Sequence, residues 1–121
     1  MKKIIKNMNE ISGEDVFAIA YAVSDGIWVN GFFNHHAFEA KVNDSADRYS
    51  IDNGRVSYLS ITAKYYTEYD SFNPSVARYS DGEWLMRPNK FEDKKMIDTL
   101  VSYLERLPRH KEFEPEQKQT A

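Results

Sequence analysis

FEAKVN, residues 38–43, alternates apolar Phe38, Ala40 and Val42 with polar Glu39, Lys41 and Asn43. A period of two marks a strand with one dry face and one wet face, and such faces belong to antiparallel sheets. Just upstream, IWVNGFF (27–33) is rich in β-branched and aromatic residues. Asn34-His35-His36 joins the two runs as a short turn, with both histidines expected in solvent. Before that, VFAIAYAV (16–23) is apolar throughout, at a length that suits a buried strand. Ser24-Asp25-Gly26 then reads as a hairpin turn in which glycine supplies the positive φ.

Downstream, a polar loop from Asp44 to Gly54 leads into RVSYLSIT (55–62), where β character resumes. The loop exceeds what hairpin closure needs, which makes Asp44 to Arg55 a candidate site edge. KYYTEYDSFNPS (64–75) reads as a protruding hairpin or loop, and 76–79 with 83–86 as short strands around Ser80-Asp81-Gly82. From Asn89 the period changes to 3.6: Ile97, Leu100, Val101, Leu104 and Leu107 form one stripe, flanked by Met96 and Tyr103. Asn89 is placed as the N-cap, with Glu92 completing a capping box and Pro108 ending the helix. The expected fold is therefore α+β: an antiparallel β-meander of five to six strands packed against one C-terminal amphipathic helix. It occupies residues 16–108 as a single domain. Residues 1–15 form an arm that is open between strand, helix and coil, and 109–121 a polar tail.

Composition narrows the function classes. At 121 residues the chain fits one domain of about 100–150 residues. Its 41% apolar and 29% charged content describes a water-soluble globule. No run approaches the roughly 18 apolar residues of a spanning helix, and no signal-like apolar stretch follows the N-terminal lysines, so the expected location is a cytoplasm. With no cysteine, disulfides, thiolate nucleophiles and cysteine-ligated zinc are excluded. A net charge of −3 argues against general nucleic-acid binding but leaves room for a local arginine cluster around a compact anion.

Catalysis has little foothold. No G-x-S-x-G elbow is present, and Asp44, Asp47 and Asp52 lack the glycine and terminal glutamate of a calcium loop. We therefore expect no catalytic residues, no metal and no cofactor. More suggestive are Arg55, Arg87, Asn89 and Arg106 with Tyr79 and Trp84. Guanidinium forks pair with phosphates and an aromatic face stacks on a base, so together they suit a nucleotide. Taken singly, each has a structural reading: Asn89 as a cap, Trp84 as core, the arginines as surface cations.

The segments FEAKVNDSADRYSIDNGRVSYLSI (38–61), VARYSDGEWLMRP (76–88) and MIDTLVSYLERL (96–107) resemble a family of small uncharacterised proteins from phages and mobile elements of Gram-positive bacteria. Asn53-Gly54-Arg55-Val56-Ser57 and Asp81-Gly82 with Trp84 carry the likeness. Ser50 departs from it where the family has glycine. Size and element order also look like the phage anti-Thoeris sponge family, oligomers that sequester the cyclic ADP-ribose isomer made by bacterial TIR proteins. That resemblance implies a pocket between two subunits of a homodimer or higher oligomer, lined by Tyr79 or Trp84, Asn89 and Arg106. It implies a phage anti-defence protein of the host cytoplasm that binds a cyclic nucleotide without cleaving it. SADRYSIDNGR (45–55) is also similar to segments of phage inhibitors of CRISPR nucleases, which implies a protein-protein inhibitor using the tyrosines of 64–72. A mobile-element accessory role is the third alternative.

Overall fold

A computed structural model describes residues 2–5, 16–64 and 75–110. Seven antiparallel strands form one sheet in sequence order: β1 (Lys2–Ile5), β2 (Val16–Val23), β3 (Gly26–Phe33), β4 (His36–Asn43), β5 (Val56–Lys64), β6 (Ser75–Ser80) and β7 (Glu83–Met86). A 3-10 turn at Ile51–Asn53 precedes β5, and helix α1 (Phe91–Glu105) follows β7. The α+β meander closed by a C-terminal helix is the expected architecture, with one strand more than the sequence pattern predicts. The addition is β1, an edge strand pairing Ile4 with Ile19. Residues 64–75 were expected as a hairpin or loop; all but Lys64, which ends β5, and Ser75, which starts β6, lie outside the described residues.

The period-two pattern sorts the sheet into two faces. Ile27, Val29, Phe38, Ala40, Val42, Leu59 and Ile61 point into the core and are at most 4% exposed. Strand β2 hides the same alternation: Ala18 and Ala20 are buried, while Phe17 is 42% exposed on the opposite face. There the larger side chains look outward, so the strand is not buried on both faces as its continuous apolar run suggests. The outer face carries its own aromatic contact, Trp28 against Tyr58 edge-on at 5.6 Å, reaching over the β4 residue Lys41 that lies opposite both.

Two turn expectations need correction. The β2–β3 hairpin forms, with Val23 opposite Gly26, but Gly26 is not at positive φ. Its role is close approach: a Cβ there would lie 2.3 Å from the Val42 carbonyl oxygen, so the backbones of β3 and β4 exclude any side chain. At the β3–β4 turn, Asn34 and His35 take left-handed φ values of 51° and 70°, the geometry of a tight two-residue hairpin. That turn places His36 in β4, not in solvent. His36 is 7% exposed, and its Nδ1 donates to the Thr62 carbonyl at 2.7 Å, an acceptor that fixes the tautomer.

Helix α1 buries Ile97, Leu100, Tyr103 and Leu104 against the inner face, and Leu107 continues the stripe beyond its end. Full burial of a leucine is worth about 1.5–3 kcal/mol, so Leu100 and Leu104 are major anchors of the helix. The helix starts later than its capping pattern predicts. The chain stays extended through Lys90 (φ −71°, ψ 139°), which becomes the N-cap without a side-chain cap bond. Asn89 therefore precedes the cap and is exposed.

Candidate functional site

Strands β6 and β7 form a hairpin closed by Asp81 and Gly82, both at positive φ. Tyr79 stands opposite Trp84 across it, with ring centroids 5.2 Å apart at 72°. Such edge-to-face contact is a favoured aromatic geometry. Tyr79 is 5% exposed, and its hydroxyl donates to the Tyr49 carbonyl at 2.9 Å. Burial, then the charges of Asp47 and Asp52, push its hydroxyl pKa above the ordinary tyrosine value. Tyr79 is thus the packed floor beneath Trp84. Arg87, just past β7, lies with its guanidinium carbon 5.0 Å from the Trp84 ring centroid, a cation–π seat.

Trp84 and Arg87 open onto a cavity of about 390 Å³ between β7, the 3-10 turn and α1. Its size falls within the roughly 300–1,000 Å³ of small-molecule sites. Asp52 enters from the 3-10 turn, and Lys94, Asp98 and Ser102 enter from one line along the helix. Asn89 lines a second, more open concavity of about 540 Å³ at the helix start, which shares Lys94 and Asp98 with the first. Of the residues expected at a site, Trp84, Arg87 and Asn89 therefore meet along one surface, with Tyr79 behind them.

Arg55 and Arg106 are not brought there. The Arg55 guanidinium is committed to the far end of the helix: Nη1 donates to the carbonyls of Glu105 (2.9 Å) and Leu107 (2.8 Å), and Nη2 to Pro108 (3.4 Å). Its Nε donates to the Asn43 carbonyl at 2.7 Å. The Glu105 carbonyl is one of those a helix C-terminus leaves over, and a cation is favoured at that end. Arg106 is the C-cap of α1 and is exposed. It lies twelve residues beyond Lys94, about 18 Å along the axis at 1.5 Å per residue. A guanidinium so placed does not share an anion with Lys94 in the same protomer.

The loop expected as a site edge divides in the same way. Ile51 and Asp52 reach the cavity, whereas Asp44 holds the chain after α1. Its carboxylate pairs with the His110 ring and accepts the His110 backbone N–H at 2.9 Å, and its carbonyl accepts from Arg109 Nε at 3.0 Å. Burial acts to raise the Asp44 pKa but is outweighed by the His110 hydrogen bonds and by the charges of His110 and Arg55, which hold it below the usual carboxylate value.

Sequence reasoning missed Lys94, Asp98 and Ser102. Their signal was available as a polar line at four-residue spacing beside the apolar stripe. Among the described residues no group of three or more His, Asp or Glu is placed to hold a metal ion, and no helix is long and apolar enough to cross a membrane. Compared with known proteins, residues 27–105 match the model of a domain of unknown function, DUF7678, which spans β3 to the end of α1 and about two-thirds of the chain. No curated protein and no solved structure matches the chain.

Proposed function

We propose that this chain, which belongs to the DUF7678 family, is a binding protein for a small phosphorylated nucleotide that it retains without chemical change. One observation carries the reading: Trp84 and Arg87 meet at 5.0 Å on the rim of a 390 Å³ cavity whose helical wall supplies Lys94. An aromatic ring beside two cations offers a base a stacking surface and a phosphate its charge-assisted bonds. Water exclusion in a cavity strengthens such bonds.

In its narrowest form, the reading is a phage anti-defence sponge of the bacterial cytoplasm for the cyclic ADP-ribose isomer made by TIR proteins, working as a homodimer or higher homo-oligomer. The likeness of the chain's size and element order to the phage sponge family supports it. To test it, purified protein is incubated with the TIR product, separated from free ligand and heated. Recovery of intact ligand in stoichiometric amount is the expected result. Failure to retain it, or recovery of a cleaved product, rejects sequestration.

A second reading, inhibition of a defence nuclease by direct protein contact, is favoured by one feature. Leu85 and Met86 in β7 and Phe91 at the start of α1 are 57%, 40% and 69% exposed, and exposed apolar groups often mark protein contacts. The tyrosines of 64–72 expected to serve that role, Tyr65, Tyr66 and Tyr69, lie outside the described residues. Leu85→Asp with Phe91→Asp abolishes inhibition on this reading and leaves nucleotide retention intact.

A further inference from the structure

Four charged side chains surround the cavity: Arg87 and Lys94 against Asp52 and Asp98. None of them is ion-paired with another described residue. The lining is therefore amphoteric. A ligand that presented only anionic groups would gain from the two cations and be repelled by the two carboxylates. The ligand that fits carries an anion at one end and hydrogen-bond donors at the other.

The helix gives these groups an order. Lys94, Asp98 and Ser102 recur every four residues, which spaces them by about 6 Å along the axis. Lys94 is nearest the helix N-terminus, where the peptide dipoles favour an anion. Asp98 follows one turn on, at about the separation of a 5′-phosphate from the hydroxyls of its own ribose. An ionised carboxylate only accepts hydrogen bonds, and a vicinal diol offers it two donors, as acidic residues do for ribose in dinucleotide-binding folds.

Resting on the nucleotide reading above, we infer that Asp98 recognises the 2′,3′-diol of a ribose whose 5′-phosphate lies against Lys94 and Arg87. The cavity is then selective for ribonucleotides. Ser102 adds a hydroxyl one turn further along, and Asp52 a second carboxylate from the 3-10 turn.

The test is calorimetric titration of the full chain with adenosine 5′-monophosphate and with its 2′,3′-dideoxy analogue. The wild type should prefer the ribonucleotide by about tenfold, the factor that one or two hydrogen bonds to a charged group supply. Asp98 is exposed, so Asp98→Ala leaves the core intact. That variant should bring the two affinities within about twofold of each other, chiefly by weakening the ribonucleotide. Equal binding of both ligands by the wild type, or an undiminished preference in Asp98→Ala, overturns diol recognition while the nucleotide reading stands. Binding of neither ligand removes the nucleotide reading, and the inference with it.

Discussion

Arg55 and Glu105 bind each other in both directions: the Glu105 carboxylate accepts the Arg55 backbone N–H at 2.7 Å, while the Arg55 guanidinium donates to the Glu105 carbonyl at 2.9 Å. The same carboxylate accepts from the Val56 N–H at 3.2 Å. The start of β5 and the end of α1 are thereby joined through groups that would otherwise be unsatisfied. This fixes the helix against the sheet, and with it the wall of the cavity that Lys94 and Asp98 supply.

Arg55→Ala takes the Arg55 donors away from the last carbonyl of α1, from those of Leu107 and Pro108 just beyond it, and from that of Asn43. Hydrogen bonds involving a charged group contribute about 1.5–3 kcal/mol each, so the expected loss is about 2–4 kcal/mol, read from the denaturant midpoint. Arg55→Lys should recover little of it, because one ammonium cannot reproduce a fork that reaches four carbonyls. A variant as stable as the wild type contradicts the clamp.

Gly54 is coupled to the same contact. A Cβ at this position would lie 2.3 Å from Glu105 Oε2. Gly54→Ala should therefore cost about 1–3 kcal/mol in the wild type and much less in a Glu105→Ala background. Additive losses across that double-mutant cycle would place the cost elsewhere.

The pH dependence follows from Asp44. Its pKa is lower folded than unfolded, so its stabilisation is fully present above the ordinary value of 3.8 and is lost as pH falls through the lowered folded value. Asp44→Asn should therefore be less stable than the wild type at pH 7, with the gap closing progressively below about pH 4. Parallel stability curves across that range contradict the assignment.

Much of the fold was legible because it is written in local periodicity. The alternation of residues 38–43 and the 3.6-residue stripe from Ile97 to Leu107 each report a buried face directly. Three of the corrected details depend on contacts between distant segments. Gly26 answers to the Val42 backbone, His36 to Thr62, and Arg55 to a helix end fifty residues away. Asn53-Gly54-Arg55, part of one of the two motifs that carry the family likeness, is in this sense a docking device for α1. The site was half legible. Trp84, Arg87 and Asn89 are close in sequence and remain close in space, whereas Lys94 and Asp98 acquire meaning only once the helix lies beside β7.

That division makes a sharp mutational pattern. Trp84→Ala and Arg87→Ala should each weaken nucleotide binding by about tenfold or more, the loss of one stacking or charge-assisted contact. Arg106→Ala should change it less than about twofold, since its charge lies far along the helix from Lys94. Calorimetry on the three variants decides. A large effect of Arg106 would require a site completed by a second protomer.

The most direct measurement uses the fact that the chain has two tryptophans, of which Trp28 packs on the outer face against Tyr58. In a Trp28→Phe variant, fluorescence reports Trp84 alone. Titration with adenosine 5′-monophosphate should give a saturable change in that emission, shifted to higher ligand concentration by Arg87→Ala. An emission that stays flat to millimolar ligand, with no binding heat, contradicts a nucleotide site at Trp84.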